Sequence, residues 1–146
     1  MSSKETYQYS TVLHAITSAA EEFHIDGCVP QKVMCDFELS IINACYETYD
    51  ADINCCFFHL GSNVYKHVQS SGLQEAYNNP DDRSIKIYTH MMLSLAYVPV
   101  QEVVLVFNLF KDEVDEVMAV VVEYFDKTYV NGIRAQGKRR AVAPTL

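Results

Sequence analysis

The sequence predicts a helix-dominated α/β fold: a helix–strand–helix–strand unit with two parallel strands, then an all-helical second half. Three observations carry this. Two short apolar runs, Lys32-Val33-Met34-Cys35-Asp36 and Ile53-Asn54-Cys55-Cys56-Phe57-Phe58, have the length and composition of buried strands. The stretch between them has helical spacing, and a strand–helix–strand crossover of that length makes the strands parallel and the connection right-handed. Beyond Phe58, apolar residues recur only at helical intervals.

Taken in order, residues 5–24 form a helix whose inner face carries Val12, Leu13, Ile16, Ala20 and Phe23. Ile25-Asp26-Gly27 ends it, with glycine as the expected stop, and Pro30 breaks the chain again. The first strand follows, then a helix with Ile41, Ile42, Cys45 and Tyr49 inward, then the second strand. In the second half, His59–Ser70 turns Leu60, Val64 and Val68 inward and Gly72 marks a break. Leu73–Tyr77 is a helical turn, and Ser84–Ala96 places Ile85, Tyr88, Met92 and Leu95 on one face. Val100–Phe110 and Glu113–Tyr129 complete it, with Val103, Phe107 and Phe110, then Val114, Val117, Val121, Tyr124 and Phe125 inward. The organisation is residues 1–58 as the α/β segment, 59–130 as the helical part and 131–146 as a basic tail.

Composition bounds the function. The chain has 146 residues, 49% hydrophobic and 21% charged, enough apolar matter for one real core. Its apolar runs, such as Val117–Val122, are too short to span a bilayer, and the polar start Met1-Ser-Ser-Lys-Glu-Thr lacks a signal-peptide core. The expected location is nuclear or cytoplasmic, with no membrane partner. Net charge is −8, from 11 basic and 19 acidic residues. Arg134, Lys138, Arg139 and Arg140 all lie in the tail, so the body before them carries −12 and repels phosphate. Only the tail has the sign for nucleic acid. The five cysteines are odd in number and include no CxxC, which argues for free thiols and excludes a four-cysteine zinc site.

Two constellations could carry chemistry. Asp36 sits at the carboxyl end of a strand, where open α/β sheets bind ligands, with Glu38 two residues on. Such carboxylates can hold Mg²⁺, or can cap the following helix and complement its dipole. Cys56-Phe57-Phe58-His59 is a CxxH at the end of the second strand. It offers a thiolate with an imidazole base, or a buried thiol beside a helix-capping histidine.

The order of the pieces resembles a known family. Met34-Cys35-Asp36-Phe37-Glu38-Leu39-Ser40-Ile41-Ile42-Asn43-Ala44 resembles the TDFExAxxxA segment of Mutator-like element (MULE) transposases. Cys55-Cys56-Phe57-Phe58-His59-Leu60 is similar to their GCxFHL motif. Lys4–Tyr7, Gly72–Tyr77, Leu95–Pro99 and Tyr124–Tyr129 fall in the family's order, so the resemblance spans nearly the whole chain.

The resemblance implies an RNase H-like catalytic domain with a DDE triad and Mg²⁺ or Mn²⁺ as cofactor. Asp36 maps onto the second acid, Cys56 and His59 onto the CxxH pair, and residues 60–130 onto a helical insertion. The fold class expected is therefore an α/β remnant of an RNase H-like fold with an all-helical insertion. The family's first acid and its Glu motif have no counterpart here, and Glu38, Glu113, Glu116 and Glu123 lack motif support as substitutes. One carboxylate does not hold two metals beside a scissile phosphate. The expected function is that of a truncated or domesticated transposase-derived protein, catalytically incompetent alone. It would act through protein contacts at the edge strand 33–36 or the helical half, as a homodimer or with another protein, and through weak DNA contacts of the tail. The alternative is a fragment of an active transposase that cleaves and joins DNA with its missing segments. A third reading is a thiol or metal enzyme using Cys56 and His59.

Overall fold

A computed structural model of the chain describes residues 3–25 and 29–132, and the chain divides into two compact units, Met1–His59 and Leu60–Leu146. Gly27, Cys28, Arg134, Lys138, Arg139 and Arg140, and with them nearly all of the expected tail, lie outside the described residues.

The first unit runs α1 (Ser3–Glu22), β1 (Lys32–Cys35), α2 (Leu39–Thr48) and β2 (Asp52–Cys55). The strands are parallel, in the register Lys32↔Asp52, Val33↔Ile53, Met34↔Asn54 and Cys35↔Cys55. The ladder is framed by Asp52 N–H donating to the Gln31 carbonyl at 3.0 Å and Cys56 N–H donating to the Cys35 carbonyl at 2.9 Å. A two-stranded sheet is marginal in water and needs a covered face. Here α2 covers it: Ile42, Cys45 and Ile53 are buried together, with Leu13, Val33, Cys35, Ile41 and Cys55 packed around them. Burying each of the two isoleucines contributes about 1.5–3 kcal/mol.

Helix α1 lies along α2 and turns only part of its expected face inward. Ala20 is buried and Leu13 half-buried, whereas Val12, Ile16 and Phe23 are exposed. One neighbouring helix covers a narrow stripe, and these three fall outside it. The helix also stops earlier than the expected glycine. His24 adopts φ +52, its N–H bonds the Glu21 carbonyl, and Ile25 N–H bonds the Ala20 carbonyl at 2.9 Å. That left-handed closure satisfies the last carbonyls without glycine.

The second strand is also shorter than its apolar run. It ends at Cys55, and Phe57-Phe58 open the next helix, α3 (Phe57–Ser70). Apolar content alone does not separate a strand from the first turn of a helix.

In the second unit α3 continues with Leu60, Val64 and Val68 buried, as their spacing predicts. It closes at Gly72, φ +77, where Leu73 N–H reaches the Val68 carbonyl. Then come α4 (Gln74–Asn78), α5 (Ser84–Ser94), α6 (Val100–Glu113) and α7 (Ala119–Phe125). Pro99 precedes α6, with Glu102 in its first turn and Lys111 in its last, both favourable to the helix dipole. Phe107 is fully buried and stands 5.9 Å from Phe125, which is 5.2 Å from Tyr129, ring centre to ring centre.

The expected single helix over 113–129 is broken. Asp115 accepts a hydrogen bond from Val117 N–H at 2.9 Å and sets a 3₁₀ turn, Glu116–Met118, before α7. Three residues per turn advance the phase. Met118 is therefore buried, and Val117, expected inward, is exposed. A π turn, Asp126–Val130, then carries Tyr129 into the core.

Phe107→Ala removes the fully enclosed ring and is expected to destabilise the chain by about 3–5 kcal/mol. Val12→Ala, on the outer side of α1, is expected to change stability by about 0.5 kcal/mol or less. Urea denaturation monitored by circular dichroism separates the two.

Candidate functional site

The register Cys35↔Cys55 puts the next residues, Asp36 and Cys56, side by side at the carboxyl end of the parallel pair. The loop after β1 is short because Asp36 organises it. Its Oδ1 accepts the Glu38 N–H at 2.9 Å, an Asx turn that delivers the chain into α2. Glu38 occupies the N-cap position without capping through its own side chain. Its Oε2 instead accepts the Tyr9 hydroxyl from α1 at 3.2 Å. Both carboxylates are half-buried and both are engaged in holding the entry to α2.

Cys56 is half-buried beside this turn, and His59 lies exposed in the first turn of α3. The ring against His59 is Phe58, edge-on at 5.8 Å. The corner thus brings Asp36 and the start of the CxxH together. The basic residues Arg134, Lys138, Arg139 and Arg140 lie outside the described residues.

The sequence did not single out the thiol pair beneath this corner. Cys35 and Cys55 are register partners, and the Cys55 thiol donates to the Asp36 carbonyl at 3.7 Å. Burial, then the neighbouring Cys55, Cys45 and Asp36, pushes the Cys35 thiol up to about 12. Burial likewise pushes Cys45 and Cys55 upward. The signal was available only as two cysteines in equivalent positions of two strands, which becomes a pair once the register is known.

A divalent ion wants several oxygen donors converging on one point. Asp36 and Glu38 each spend an oxygen on a fold-holding hydrogen bond, and burial pushes the Cys35 and Cys55 thiols upward. Among the described residues, no group of three or more His, Cys, Asp or Glu is arranged to hold a metal ion. One oxygen of Asp36 and one of Glu38 lie outside these two hydrogen bonds.

At pH 8, a thiol with a pKa about 12 is ionised in on the order of one molecule in 10⁴. Iodoacetamide at pH 8 is therefore expected to leave Cys35 unmodified while the protein is folded, and to label it on unfolding in urea. Mass spectrometry of tryptic peptides reads the difference. Since the folded state favours the neutral thiol, it adds stability below the unfolded thiol pKa, and that stability is lost as pH rises through 9 toward 12. No family model matches the chain, and neither does any curated protein or solved structure.

Proposed function

We propose that the chain is a transposase-derived, MULE-like protein that acts through protein contact and does not cleave DNA by itself. The observation that supports this reading is the corner itself. Asp36 and Cys56-Phe57-Phe58-His59 follow adjacent parallel strands joined by a crossover helix, the order that the resemblance implies for the second acid and the CxxH of an RNase H-like domain. The engaged carboxylates argue against chemistry by this chain alone.

The contact surface in this reading is the outer edge of β1. Among the described residues, the sheet has only these two strands, so each bonds one neighbour. The carbonyls of Gln31 and Cys35 point to β2, so by alternation the backbone groups of Lys32 and Met34 point to the open edge. The Met34 side chain is 72% exposed. An unpaired edge recruits another strand, and a second copy pairs β1 with β1 about a two-fold axis. Lys32 beside it limits uncontrolled addition.

Light scattering after size exclusion is expected to give a discrete dimer. Met34→Pro, which removes an outward donor and leaves the inner ladder intact, is expected to give a monomer with unchanged helical ellipticity. A wild-type monomer at every concentration, with the Met34 amide exchanging slowly, overturns the edge contact. Mg²⁺- or Mn²⁺-dependent strand cleavage that is lost in Asp36→Asn, a variant that keeps the Asx acceptor, overturns the non-catalytic reading and favours the active-fragment alternative.

Any DNA contact belongs to Arg134, Lys138, Arg139 and Arg140, since the rest of the chain carries net negative charge. Four cations limit the slope of log K against log salt to roughly −3.6, with no dependence on base sequence. Fluorescence anisotropy with two unrelated duplexes over a salt series checks both.

A further inference from the structure

The thiol pair beneath the corner has no part in the function proposed above. Cys35 ends β1, Cys55 ends β2, and the two are register partners in the parallel ladder. Side chains alternate along a strand, so register partners project from one face. That face is the one α2 covers: Val33, Cys35 and Cys55 pack against the cluster of Ile42, Cys45 and Ile53. Each sulfur also leans across the ladder. The Cys35 thiol donates to the Asn54 carbonyl of β2 at 4.0 Å, and the Cys55 thiol donates to the Asp36 carbonyl, just past β1, at 3.7 Å. The two thiols are hydrogen-bond neighbours of each other.

Adjacent strands lie about 4.8 Å apart, and a disulfide joins Cα atoms about 4.4–6.8 Å apart. The pair is therefore within bridging distance as the ladder stands. Facing side chains of parallel strands run side by side, which sets their Cβ atoms toward the wide end of the roughly 3.5–4.5 Å that a relaxed disulfide takes. A bridge there carries strain, and strained bridges are the labile ones that a reductant reopens. Both cysteines are half-buried, so a small oxidant reaches them from solvent. Cys45 is only 1% exposed, inside α2, and Cys56 lies past the end of β2 beside Asp36.

We propose that Cys35 and Cys55 form a reversible disulfide that locks the register of the parallel pair. The oxidant is a peroxide. The thiolate of one cysteine attacks a peroxide oxygen, the O–O bond breaks, and a sulfenic acid forms as one water leaves. The thiol of the other cysteine attacks that sulfur, the S–S bond forms, the S–O bond breaks, and a second water leaves. The two thiols lose two electrons and two protons, and hydrogen peroxide becomes two waters. A small dithiol reverses the step by exchange and is itself oxidised to a disulfide. In the reduced chain the register rests on the packing of α2. In the oxidised chain residues 35–55 form a closed ring, which keeps Asp36 beside Cys56 when that packing loosens. Burial raises both thiols, so thiolate is scarce and the switch answers sustained rather than brief oxidant exposure. The bridge does not depend on the reading of the outer edge of β1.

The test holds the full chain in excess hydrogen peroxide for hours, blocks the remaining thiols with iodoacetamide in urea, and maps the chymotryptic peptides by mass spectrometry. Cleavage after Phe37, Tyr46, Tyr49 and Phe57 separates Cys35, Cys45 and the Cys55-Cys56 pair. The expected product is the Cys35 peptide linked to the Cys55-Cys56 peptide, two hydrogens lighter than their sum, with fragmentation placing the bridge on Cys55. The urea midpoint of the oxidised chain is expected to rise, because the cross-link restricts the unfolded chain, and dithiothreitol is expected to return it. Cys35→Ser and Cys55→Ser are each expected to abolish the link and the shift at unchanged helical ellipticity, and the wild-type map stands whether or not these variants fold. Recovery of Cys35 and Cys55 as free thiols or sulfinic acids overturns the proposal. So does a bridge that uses Cys28, Cys45 or Cys56, or one that joins two chains. A Cys35–Cys55 link that leaves the urea midpoint unmoved overturns the lock.

Discussion

The register of one short parallel ladder governs the arrangement of the first unit. Pairing Cys35 with Cys55 aligns the strand ends, and that alignment decides which residues can meet at the carboxyl edge. A slip by one residue would turn Ile53 out of the core and separate Asp36 from Cys56. The ladder is too small to hold its register through backbone hydrogen bonds alone. It is held because Ile42 and Cys45 of the crossover helix sit on Ile53. The Asp36 turn and the Tyr9–Glu38 bond fix where that helix begins.

This economy has a chemical consequence. The two carboxylates best placed for metal chemistry are the ones that secure the entry to α2. Burial pushes the Cys35 and Cys55 thiols behind them upward, and the neighbouring Cys55, Cys45 and Asp36 add to the rise at Cys35. One oxygen of Asp36 closes the loop into α2, and one oxygen of Glu38 ties α1 to the start of that helix. The same smallness leaves β1 with one strand neighbour among the described residues.

The second unit solves its packing differently. Its centre is the aromatic row Phe107, Phe125 and Tyr129, reached from α6, α7 and the π turn. Around it, His67 of α3 stacks on Tyr124 at 3.9 Å, and Asn63 donates to the Tyr129 hydroxyl at 3.4 Å. Breaking α7 away from α6 with a 3₁₀ turn brings Met118 and Tyr129 inward. It also opens a groove whose carboxylates come from three separate elements.

Much of this was legible from residue spacing. The helix–strand–helix–strand order, the parallel pair, and the buried stripes Leu60–Val64–Val68 and Val103–Phe107–Phe110 follow from periodicity, because a buried stripe must repeat with the pitch of its helix. Asp36 and Cys56 could be named as candidates for the same reason, as residues at strand ends. Tertiary structure decided the rest. It turned Val12, Ile16 and Phe23 outward, since a stripe is buried only as far as a neighbour covers it. It paired Cys35 with Cys55 and gathered Asp115, Glu123 and Asp126 around one groove. The end of α1 at Glu22 is a local matter that spacing also missed: the left-handed His24 and the bonds to the Glu21 and Ala20 carbonyls close the helix before the expected glycine. Spacing along a chain reports which side of an element is apolar. What that side meets, and which distant residues share a surface, depends on how elements pack, and that is set by contacts between residues far apart in sequence.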